Sequence, residues 1–122
     1  MTFTKEERAY LDTQRIGRLA TIAGDGGLQN NPVGFEVDEE GRIVIRGRAL
    51  GKTRKFRNIR TDPHVAFVVD DVKSVDPWEV RCVEIPGTAQ ALEDVEQPNG
   101  FFSREAILIT PDRVIAFGLG SD

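Results

Sequence analysis

Seven basic residues, Arg46, Arg48, Lys52, Arg54, Lys55, Arg57 and Arg60, fall within fifteen positions that hold no acid. The rest of the chain carries nine Lys and Arg against 20 Asp and Glu. A concentrated positive field inside an acidic chain attracts anions. Gly51 precedes a segment that reads as a short helix from about Lys52 to Arg60, with Phe56 and Ile59 three apart on one face. The first amides of a helix have no internal partners, and the helix dipole favours an anion beside them. Lys52, Thr53, Arg54 and Lys55 occupy that first turn. Cations there oppose the dipole, a penalty that a bound phosphate reverses. The same residues would also serve as a solvated basic face, and on these features alone both readings stand.

Little else in the chain offers chemistry of its own. One His and one Cys leave no soft-ligand cluster for zinc. Cys82 reads as a small buried hydrophobe, with no His nearby in sequence to activate it. His64 follows Asp62-Pro63 and reads as an exposed cap or loop residue. Glu93, Asp94 and Glu96 read as solvated loop acids, and no carboxylate pair suggests hydrolysis. A missing triad does not exclude an enzyme, because a redox cofactor needs only binding, orientation and electrostatics from the protein.

These residues must be positioned by a chain of 122 residues, enough for one domain with its own core, spanning 1–122. Hydrophobic residues make up 39% and charged residues 30%, ordinary for a globular chain. No apolar run approaches the ~18 residues of a spanning helix. The start, Met-Thr-Phe-Thr-Lys-Glu-Glu, has no apolar leader region, and a lone cysteine suits a reducing compartment, so a cytoplasmic setting is expected. Net charge −4 argues against nucleic acid and anionic membrane as partners.

Thr4 and Glu7 form a capping-box pattern that predicts a helix over 5–13. Strands are expected at 15–23, 28–37, 42–46, 64–70, 78–91, 106–110 and 113–118, with turns at Gly24-Asp-Gly-Gly27 and Pro111-Asp112 and a polar loop over 71–77. Pro32 and Gly34 predict irregular backbone from Asn31 to Phe35, because proline cannot donate to a ladder and glycine marks a bulge or close approach. The pattern predicts a mostly β fold: a six- to seven-stranded antiparallel β-barrel with short N-terminal and mid-chain helices.

Several stretches coincide in order and spacing with one family. Gln29-Asn-Asn-Pro-Val-Gly-Phe35, Ile45-Arg46, Lys52-Thr-Arg-Lys55, Asn58-Ile59 and Asp62-Pro-His-Val-Ala66 resemble the pyridoxamine-5′-phosphate-oxidase-like flavin-binding split barrels. With Asp76-Pro-Trp78 and Val83-Glu-Ile-Pro-Gly-Thr-Ala89, the chain is similar to the short actinobacterial branch that depends on the deazaflavin coenzyme F-420. The resemblance implies a homodimer of split barrels with cofactor clefts between subunits. It implies that Thr53, Arg54 and Lys55, with Lys52 alongside, grip the cofactor phosphate. Arg46 and Gly47 would lie where the preceding strand meets the phosphate and ribityl chain. Asn31, Pro32, Val33 and Gly34 would lie along the tricyclic ring. Trp78 could stack on that ring, sit in the dimer interface or belong to the core. The family's oxidases of pyridoxamine phosphate carry longer C-terminal segments with Arg and His that hold the vitamin phosphate. This chain has only His64, so pyridoxal phosphate synthesis is not expected.

The expectation is therefore a split-barrel oxidoreductase passing hydride from reduced F-420 to a small unsaturated substrate. FMN is the alternative cofactor, and a flavin reductase or a non-catalytic cofactor or heme carrier is the alternative function. A nucleic-acid module built on the basic helix would show salt-dependent DNA retention.

Overall fold

The computed structural model describes residues 2–120. Eight strands form one antiparallel sheet: β1 (Ile16–Ile22), β2 (Leu28–Gly34), β3 (Glu36–Val37), β4 (Ile43–Ile45), β5 (His64–Val75), β6 (Trp78–Leu92), β7 (Ala106–Pro111) and β8 (Ile115–Phe117). Two helices, α1 (Lys5–Asp12) and α2 (Arg54–Thr61), complete it, with a 3-10 turn at Leu50–Lys52. The strand order is β2-β1-β5-β6-β7-β4-β3, with β8 pairing to β6. The two end strands of that order, β2 and β3, are separated in sequence by Phe35 alone, so the sheet must curl until its edges adjoin.

Seven strands were expected and eight are found because the run 28–37 breaks at Phe35. The break falls at the last position of the expected irregular stretch, Asn31 to Phe35, while Pro32 and Gly34 themselves stay regular. Both residues lie in register with β1, Pro32 opposite Arg18 and Gly34 opposite Ile16. Proline is tolerated because β2 has a strand on one side only. A second difference is larger. Most of the expected polar loop over 71–77 is strand: β5 runs to Val75 and pairs with β6 as far as Trp78, leaving only Asp76 and Pro77 as the turn. Asp71, Lys73 and Ser74 hide the strand from any reading based on hydrophobicity, since the ladder to β6 is made by backbone groups alone.

Local chemistry explains the helices. Glu7 N donates to Thr4 Oγ1 at 3.1 Å and Thr4 N to Glu7 Oε1 at 2.9 Å, closing the expected capping box of α1. Tyr10 and Leu11 then bury against the sheet, and Arg8 reaches the carbonyls of Val37 and Asp38. The second helix starts two residues later than expected. Thr53 is its N-cap, accepting from Phe56 N at 3.4 Å, while Lys52 closes the preceding 3-10 turn. Phe56 and Ile59 are buried, as their spacing indicated.

The core is aliphatic and drawn from every layer: Leu19, Ile43, Ile45, Phe56, Val69, Val83, Ile85, Ile107 and Ile109 are fully buried. Gly17 is a fixed point in it. A Cβ there would stand 2.2 Å from the Phe67 ring, which is itself buried. Gly17→Ala is expected to lower stability by about 1–3 kcal/mol through overpacking, read as a drop in melting temperature. An unchanged melting temperature would show that Phe67 has room to move.

Among the described residues no helix is long and apolar enough to cross a membrane, and no cluster of His, Cys, Asp or Glu is placed to hold a metal.

Candidate cofactor-binding site

The packing of α2 against β1 and β2 builds the site. Buried Asn58 donates from Nδ2 to Thr21 Oγ1 at 3.0 Å and to Gln29 Oε1 at 3.2 Å. This network locks the helix to the two strands. Lys55 lies one turn before Asn58, about 5 Å along the helix. Asn31 lies two residues after Gln29 on the same face of β2, about 7 Å along the strand. The phosphate turn and the strand expected to lie along a ring thus flank one buried contact.

The chain leading into the turn is held from the far side of the molecule. Ser103 Oγ accepts from Leu50 N at 3.0 Å and donates to the Gly47 carbonyl at 3.1 Å. Glu105 Oε1 accepts from Gly51 N at 3.2 Å. Gly47 is therefore a structural joint between β4 and the loop before β7, which its sequence context did not suggest.

The seven cations separate into two groups. Three are spoken for. Arg46 pairs with Glu36 and donates from Nε to Gln97 Oε1 at 2.9 Å. Arg60 pairs with Glu93 at 2.6 Å and lies over the Phe56 ring. Arg48 covers the Phe101 ring, 5.3 Å from its centroid. By contrast, the side chains of Lys52, Arg54 and Lys55 make no ion pair or hydrogen bond among the described residues. Among the described residues Arg57 donates only to the Lys52 carbonyl, so no acid there compensates its charge. Burial holds the Lys55 ammonium below the ordinary lysine value. A desolvated cation with no carboxylate beside it is set up to gain from an anion.

A second observation points to a ligand. Asn31 Oδ1 is buried and accepts no hydrogen bond among the described residues. Buried polar atoms are nearly always satisfied, so an orphan acceptor leaves a place for a donor from outside the chain, a water or a ligand N–H. Flavin and deazaflavin rings carry such an N–H. Uncompensated cations at Lys52–Lys55 and the orphan acceptor on Asn31 together fit a phosphate-bearing tricycle. Pro32 and Gly34 are exposed on the outer face of β2, and Val33 is buried beneath it.

Not all the expected site residues adjoin the 52–55 turn. Arg46 and Gly34 line a cavity of about 430 Å³ formed by the end of α1, the β2–β3 break, β4 and the loop carrying Pro98 and Phe102. None of residues 52–55 lines it. Trp78 sits at the tip of the β5–β6 hairpin and is 66% exposed, so it is not core. Cys82 is buried, and burial raises its thiol, which suits an inert position. His64 is exposed, its Nδ1 2.7 Å from Asp62 Oδ1. Sequence reasoning missed the Asn58–Thr21–Gln29 network. Thr21 carries the only available signal, a polar residue at an inward position of an otherwise apolar strand face.

A curled antiparallel sheet whose edge strands adjoin, with a helix docked against β1 and β6, is a split barrel. Residues 3–116 match the family model for pyridoxamine 5′-phosphate oxidase, and the chain belongs to that family. The 5a,11a-dehydrotetracycline/5a,11a-dehydrooxytetracycline reductase of Streptomyces rimosus is 48% identical over 129 residues, covering 100% of this chain and 87% of the relative. Among solved structures, a conserved hypothetical protein of Mycobacterium tuberculosis superposes with a TM-score of 0.75 at 23% identity, over 95% of this chain and 85% of that one. An F420 reductase superposes with a TM-score of 0.69 at 23% identity, over 88% of this chain and 94% of that one. At such identities the two structures speak for the fold.

Proposed function

We propose that this oxidoreductase uses reduced coenzyme F-420 to reduce a carbon–carbon double bond in a small, oxygen-rich ring system, acting as a cytoplasmic homodimer. The observation that carries the reaction is the full-length likeness to a dehydrotetracycline reductase. The cofactor, when bound, supplies the hydride. The chain's own part is to bind and orient. Lys52, Arg54 and Lys55 hold the phosphate at the start of α2, and Thr53 fixes that turn. Asn31 Oδ1 accepts from the ring, which lies along the free edge of β2 where Asn31, Pro32, Val33 and Gly34 follow one another.

F-420 differs from FMN in carrying an anionic tail beyond its first phosphate. Among the described residues Arg57 has no acid beside it and Arg48 is balanced only by an aromatic ring, so these are the cations left for that tail. Arg60 is committed to Glu93 and drops out of this role. FMN is the second reading, because the 52–55 turn suits either phosphate. The dimer is supported by exposed apolar side chains on the β5–β6 hairpin, Val72, Val75 and Trp78, and the cytoplasmic setting by the unpaired Cys82.

Mixing the protein with reduced F-420 and 5a,11a-dehydrotetracycline tests the reaction. Return of the oxidised cofactor's absorbance, dependent on both protein and substrate, is expected. Turnover with reduced FMN and none with reduced F-420 would transfer the reaction to the flavin.

A further inference from the structure

The cavity of about 430 Å³ beside Gly34 has a size usual for small-molecule sites, roughly 300–1,000 Å³. Resting on the reductase reading above, we infer that this cavity is the acceptor subsite, and that it takes a flat, anionic, oxygen-rich ring system against Phe35 and Phe102 with Arg15 at its charged edge. Four observations carry this. Gly34 is shared between the cavity and the strand assigned to the cofactor ring, so an occupant would lie next to that ring. Phe35 and Phe102 offer flat apolar walls, each braced edge-on by another ring, Phe67 and Phe101, with centroids 5.3 Å away. The lining acids are already engaged: Glu36 by Arg46, and Asp12 by Arg8 at 3.2 Å. Arg15 has no acidic partner among the described residues, and it is the lining charge left over.

In this reading Arg46 takes on a further task. Through Gln97, whose Nε2 donates to the Glu105 carbonyl at 3.0 Å, it ties down the loop that carries Phe102. It is a positioning residue for the wall.

Tetracycline is a suitable probe, being flat, fluorescent and anionic along its enolised edge while lacking the reducible bond. The full chain is titrated with it, with and without F-420, and the fluorescence anisotropy is followed. Saturable binding is expected. Phe102→Ala and Arg15→Glu should each weaken it about tenfold or more, and Arg15→Lys should restore most of it. Lys55→Glu should leave it unchanged in the absence of F-420, and neither Phe102→Ala nor Arg15→Glu should alter F-420 affinity. No saturable binding to the wild type, or wild-type affinity in both cavity variants, overturns the inference. So does a parallel loss of F-420 binding in those variants, which would make the cavity the cofactor's own. If F-420 fails to bind while tetracycline binding still falls in both variants, the cofactor reading fails and the subsite stands.

Discussion

Lys55→Glu is expected to lower affinity for the phosphate-bearing cofactor by about a hundredfold or more, with the melting temperature close to that of the wild type. Lys55 is the second residue of α2, partly desolvated and without an acidic partner among the described residues. A charge-assisted hydrogen bond is worth roughly 1.5–3 kcal/mol, about ten- to a hundredfold in affinity, and reversal adds repulsion to its loss. The fold should survive because no internal ion pair is broken. Arg54→Glu should behave alike. Arg57→Glu should cost less, since it lies beyond the two leading positions of the helix, and Arg60→Glu least, since Glu93 already balances Arg60. The pH dependence follows in sign. Burial lowers the Lys55 value, so cofactor affinity should begin to fall at a lower pH than an exposed lysine would give, as the ammonium loses its proton. Equal losses from all four reversals, measured by cofactor titration, would replace the phosphate pocket with a diffuse field.

Phe56→Ala is the complementary case, with its main effect on stability. Phe56 is fully buried and anchors α2 in the core. Large-to-small changes at such sites cost about 3–5 kcal/mol, against a total of roughly 5–15 kcal/mol for a domain. A marked fall in thermal and denaturant midpoints is expected. Cofactor affinity should fall with it even below the melting range, because the cationic turn is carried on the loosened helix. A variant that keeps its affinity while losing stability would mean that the Ser103 and Glu105 contacts, and not α2 packing, hold the turn in place.

The two variants mark what could be read from the chain alone. The Thr4–Glu7 box, the Phe56–Ile59 face and most strands are local patterns, written within a few residues of each other. The same holds for the cluster of cations at 46–60. How those cations are spent is not local. Arg46 meets Gln97 and Arg60 meets Glu93, partners 51 and 33 positions away, so the sequence showed seven equivalent charges where the fold leaves five uncompensated by acids among the described residues. The same distance conceals the Asn58–Thr21 bond, 37 positions apart, and the cavity that brings Arg15 to Phe102. The hairpin over 71–77 was missed for another reason. Its pairing is a property of the neighbouring strand's backbone, and its exposed side chains carry no alternation strong enough to announce it.

The central claim, that the 52–55 turn and β2 bind a phosphate-bearing deazaflavin, is tested most directly by titrating apoprotein with F-420 and with FMN at low and high salt, followed by fluorescence. Tighter binding of F-420 is predicted, with an advantage that shrinks in salt because the tail contacts are exposed to screening. Protein that binds FMN stoichiometrically and ignores F-420 would contradict the assignment to the deazaflavin, and protein that binds neither would contradict the site itself.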